Sequence, residues 1–93
     1  MIYKLGDYVK VKLVKKPIIS YNHIGLMNEW NGMVGKIVSI CYGEHNDCLE
    51  YHLEPIGWKP KNYFKEDKHK SWYWDETSFN RKLDRDEVMV ELL

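Results

Sequence analysis

Two glycine-led stretches in the first 40 residues alternate with a period of two. In Gly6-Asp7-Tyr8-Val9-Lys10-Val11-Lys12-Leu13, the residues Val9, Val11 and Leu13 fall on one side and Tyr8, Lys10 and Lys12 on the other. A second stretch, Gly32-Met33-Val34-Gly35-Lys36-Ile37-Val38-Ser39-Ile40, opens on one glycine and carries another at Gly35. Successive side chains of a strand point to opposite faces, so the first pattern is that of a strand with one buried face. Gly35 is expected where two backbones approach closely or a barrel strand bends. Together the two stretches predict a small twisted β-barrel.

The remainder supplies further strands. Pro17 ends the first one, because it has no N–H to give to a ladder. Residues 15–31 form a long connection with neither a helical nor a strand period. The second strand is expected over 33–41, followed by a turn at 42–47 that uses Gly43, Asn46 and Asp47. Leu49-Glu50-Tyr51-His52-Leu53-Glu54 alternates throughout and predicts the third strand. Pro55, Gly57 and Pro60 break the pattern, and a basic, aromatic loop extends to Lys70. Ser71-Trp72-Tyr73-Trp74-Asp75 is rich in β-forming aromatics and predicts the fourth strand. Residues 76–85 read as a helical turn and loop, and 87–92 as the closing strand. A chain of 93 residues is expected to form one domain over 1–93, burying roughly 60 to 65 per cent of its unfolded surface.

This layout, five short strands with a long first loop and a short helical turn before the last strand, is that of an SH3-like small barrel in the all-β class. Gly6-Asp7-x-Val9-x-Val11 followed by Gly32-x-x-Gly35-x-Ile37 resembles the KOW-type pattern of ribosomal and transcription-factor small barrels. The whole layout, with Tyr51 in the third strand and Ser71-Trp72-Tyr73-Trp74 before Phe79, also resembles small uncharacterised SH3-like proteins of phages and mobile elements. The first resemblance implies RNA binding. The second implies a protein of phage or mobile-element origin that acts on a host protein.

Composition weighs between these implications. Lys plus Arg (14) equals Asp plus Glu (14), which removes the cationic excess expected of a dedicated nucleic-acid binder. Charge is nonetheless segregated. Lysines dominate the first 16 residues and the loop from Trp58 to Lys70, whereas acids dominate 75–91. Four Trp and seven Tyr exceed what one small core takes, so part of them is expected on a partner-facing surface: Tyr21, Trp30, Trp58, Trp72 and Tyr73. A nucleic-acid interface, the alternative, would use Lys10, Lys12, Lys59, Lys61, Tyr63 and Lys65, with lysines on phosphates and rings on bases.

Other chemistry is weaker. Cys41-x3-His45-x2-Cys48-x3-His52 gathers four zinc-ligand types around one hairpin. Cys48 and His52 lie two strand steps apart on one face, however, and that spacing is awkward for one tetrahedral ion. Proline-rich peptides are bound by aromatic grooves with acidic loops, and the long first loop offers only Glu29. No catalytic triad order, phosphate-cradling glycine loop or His-Glu-x-x-His helix is present, so no enzyme activity and no cofactor are expected. The amino terminus lacks a signal peptide's apolar stretch and no run reaches membrane-spanning length, which predicts a cytoplasmic chain with reduced Cys41 and Cys48. The expected function is a non-catalytic protein-binding module, and a second copy of the chain would satisfy the same aromatic excess.

Overall fold

The computed structural model describes residues 3–15, 30–57 and 73–92. Strand β1 (Tyr8–Val11), β2 (Val34–Gly43), β3 (Cys48–Pro55) and β4 (Phe79–Leu83) form one antiparallel sheet in the order β3-β2-β1-β4. A 3-10 turn at Glu76–Ser78 precedes β4, and helix α1 (Arg85–Leu92) follows it. On the far edge of β3, Trp74 pairs with Tyr51 through two backbone hydrogen bonds of 2.7 and 2.9 Å. Tyr73 to Asp75 therefore stands where the fourth strand was expected, reduced among the described residues to a single bridge.

The two leading glycines enter their strands in the same way. Asp7 N–H donates to Lys4 C=O (3.1 Å) and Met33 N–H to Trp30 C=O (2.9 Å). Each closes a four-residue turn whose third residue is Gly6 or Gly32, at φ of 88° and 85°. Such turns need positive φ at that position, which glycine adopts without steric cost.

Alternation then sorts the sheet. Val9, Val11, Ile37, Tyr51 and Leu53 point into the core, where Tyr3, Trp30, Met33, Trp74 and Phe79 join them. Tyr3, Tyr51 and Phe79 meet edge to face with centroids 5.4 to 5.8 Å apart. In β2 the phase slips once: Ile37 opposes Leu53 and Ser39 opposes His52, leaving Val38 as the extra residue of a bulge. The slip turns Val38 outward and brings Ile40 rather than Ser39 against the core.

One element differs in kind from the sequence expectation. The segment read as a closing strand over 87–92 is helical, and the last strand is β4, inside the span read as turn and loop. Asp84 caps the helix: its Oδ1 accepts from Glu87 N–H (2.8 Å) while Glu87 Oε1 accepts from Asp84 N–H (3.1 Å). This reciprocal pair satisfies two amides at the helix start. Acidic Asp86 and Glu87 in the first turn suit the positive end of the helix dipole.

Candidate functional site

Alternation in β1 sends Tyr8, Lys10 and Lys12 to the face opposite Val9 and Val11. Tyr8 pairs with Leu83 in register, so Leu83 and, two residues before it, Arg81 share that outer face. Helix α1 runs along it. Among the described side chains of the helix Val88 is buried, whereas Met89 and Val90 are 59% and 68% exposed.

Two grooves flank the helix. One, about 590 Å³, is lined by apolar Tyr8, Leu83, Val88 and Met89 together with charged Asp7, Lys82, Asp84 and Arg85. The other, about 430 Å³, is lined chiefly by Lys10, Lys12, Arg81, Asn31, Glu87 and Glu91. Ion pairs cross the second groove. Lys10 Nζ donates to Glu91 at 3.1 Å, and Arg81 grips the Glu87 carboxylate with its two terminal guanidinium nitrogens, one of them at 2.7 Å. The Arg81 bond, aided by the Asp84 amide, pulls the Glu87 carboxyl down to about 2. Asp7, at the entrance to β1, lies 3.8 Å from Lys82 on β4.

The outer face of the β2–β3 hairpin carries different groups. Ser39 opposes His52 and Cys41 opposes Glu50, with Ser39 Oγ and Cys41 Sγ 3.6 Å apart. Tyr73 lies over His52, ring centroids 4.0 Å apart, and burial together with nearby Cys41 and Glu50 pushes its hydroxyl above the usual phenol range. Burial and the Asp75, Glu50, Asp47 and Glu76 carboxylates push the Cys48 thiol up. At the hairpin end Tyr42 is 58% exposed and its hydroxyl donates to Asp47.

Set against the sequence expectations, the structure places Trp30 in the core at 0% exposure, packed on Trp74. Its ring is inside the sheet's apolar layer and does not face a partner. Tyr73 is half-buried on His52. Tyr21, Trp58 and Trp72, with Lys59, Lys61, Tyr63 and Lys65, lie outside the described residues. Lys10 and Lys12 are exposed on the outer face as expected, but Lys10 is engaged by Glu91. Cys41, Cys48 and His52 share a face while His45 sits in the turn, and no three His, Cys, Asp or Glu side chains among the described residues converge on a metal position. Sequence reasoning missed Leu83, Val88, Met89, Glu87 and Glu91. The Asp84-x-x-Glu87 spacing was the signal that would have placed a helix there.

Comparison of the chain with protein-family models, with curated proteins and with solved structures finds no match. No helix among the described residues is long and apolar enough to cross a membrane.

Proposed function

We propose that the chain is a non-catalytic protein-binding module built on an SH3-like barrel. The order of elements supports the barrel reading. A first strand, a long connection and a hairpin are followed by a segment pairing on the hairpin's far edge, then by a 3-10 turn and a last strand beside the first. The observation that carries the binding role is the apolar groove beside α1. Apolar Tyr8, Leu83, Val88 and Met89 line it together with charged Asp7, Lys82, Asp84 and Arg85. Apolar side chains gathered among charged ones are what a protein interface is made of.

The test is parallel capture from host lysate with the unaltered chain and with Met89→Asp. Met89 is exposed, so the substitution leaves the core intact. A specific protein retained by the first and lost by the second is the expected result. Identical captured sets, or no specific protein in either, would overturn the proposal.

A further inference from the structure

We infer that α1 acts as an internal mimic of a polyanion: it masks a cationic face of β1 and β4 that, once uncovered, binds single-stranded nucleic acid. The inference differs from the protein-binding proposal in its cations, which line the other groove, and shares Tyr8 with it.

Lys10, Lys12 and Arg81 line one groove, and among the described residues the acids paired with them come from α1, Glu91 on Lys10 and Glu87 on Arg81, with Asp84 before the helix adding its field at Arg81. Lys12 has no acidic partner among the described residues. Lys10 in β1 and Lys12 just past its end line the same groove two residues apart, a spacing of about 7 Å in extended chain that suits successive phosphates of an extended strand. Tyr8 continues the same face and, half-buried under the helix side, offers a ring for a base. The carboxylates of α1 thus occupy the places that phosphates would take.

The helix is built to leave. Eight residues are too few for a helix to persist by itself in water. Of its described side chains only Val88 is buried, and its two ion pairs are exposed, where such pairs hold weakly and are screened by salt. A nucleic-acid strand entering the groove exchanges Glu87 and Glu91 for phosphates on the same cations.

The experiment titrates fluorescent oligothymidylate and oligouridylate into the full chain and into Glu87→Gln/Glu91→Gln, following anisotropy across a salt series. Each freed cation adds a phosphate contact, contributing about 0.7 to the slope of log affinity against log salt for single strands. The double variant is expected to bind more tightly with a slope steeper by about 1.4, so its advantage grows about 25-fold for each tenfold fall in salt. Adding Lys10→Gln and Arg81→Gln to the double variant is expected to abolish the gain. Equal affinity and slope in the double variant and the unaltered chain would overturn the inference, and so would a gain that survives Lys10→Gln and Arg81→Gln. Should the double variant not fold, hydrogen exchange on the unaltered chain decides: bound oligonucleotide is expected to lower protection of the α1 amides, and unchanged protection refutes the mask.

Discussion

Replacing Trp30 by alanine separates a core residue from a contact residue. The ring is fully buried and lies 5.8 Å, centroid to centroid, from that of Trp74. Removing a buried tryptophan leaves a cavity that neighbours fill only in part, at a cost of about 3–5 kcal/mol. A chain of 93 residues has about 5–14 kcal/mol of total stability, so the variant is expected to be marginal or unfolded at 37 °C. With a urea slope of about 2 kcal/mol/M, the midpoint falls by about 1.5–2.5 M. Trp30→Phe keeps most of the apolar volume and loses less. A double-mutant cycle with Trp74→Phe reports the ring–ring coupling, expected at about 0.5–1.5 kcal/mol or below. Equilibrium urea unfolding followed by circular dichroism measures all of these. A Trp30→Ala chain that unfolds within 1 kcal/mol of the parent, in urea terms within about 0.5 M, yet loses its captured protein partner would refute the core placement and return Trp30 to the surface.

Two further outcomes follow from the titrating groups. Glu87, held at about 2 against about 4.3 when unfolded, binds protons less readily when folded, so its contribution is present above the unfolded value and fades as pH falls toward 2. Carbon NMR of the Glu87 carboxyl is expected to titrate near 2 while α1 frays over that window, and an ordinary carboxylate midpoint would refute the Arg81 grip. Cys41 is exposed, whereas burial and surrounding carboxylates raise the Cys48 thiol. Iodoacetamide followed by peptide mass spectrometry is expected to label Cys41 first; equal or reversed rates would contradict the placement of Cys48.

The strands of the hairpin were legible because burial there follows sequence alternation directly: Leu49, Tyr51 and Leu53 face inward and Glu50 and Glu54 outward, with no competing signal. The bulge at Val38 was not, since Ile37, Val38 and Ile40 are all apolar and only pairing with Leu53 and His52 decides which one turns out. At the carboxy terminus Val88, Val90 and Leu92 also alternate, which reads as a strand, whereas the Asp84-x-x-Glu87 spacing is that of a helix cap. In the fold the helix forms, because the cap satisfies two of its amides locally. Trp30 was misplaced for a different reason. Nothing near it in sequence shows that its ring will meet Trp74, and burial of an aromatic in a loop is settled by the partner the fold brings to it.

The same long-range effect changes the meaning of the charge balance. Equal numbers of acids and bases read, in composition, as a chain without a cationic face. In the fold, Glu91 reaches Lys10 across 81 positions of sequence, and Glu87 reaches Arg81. The charges of Lys10 and Arg81 are therefore offset by contact, between an acidic helix and the basic strands beneath it. A face neutralised by contact can be uncovered by anything that competes for either side, whereas a face that lacked cations could not. Two chains of identical composition would differ on this point, and the difference lies in where one helix docks.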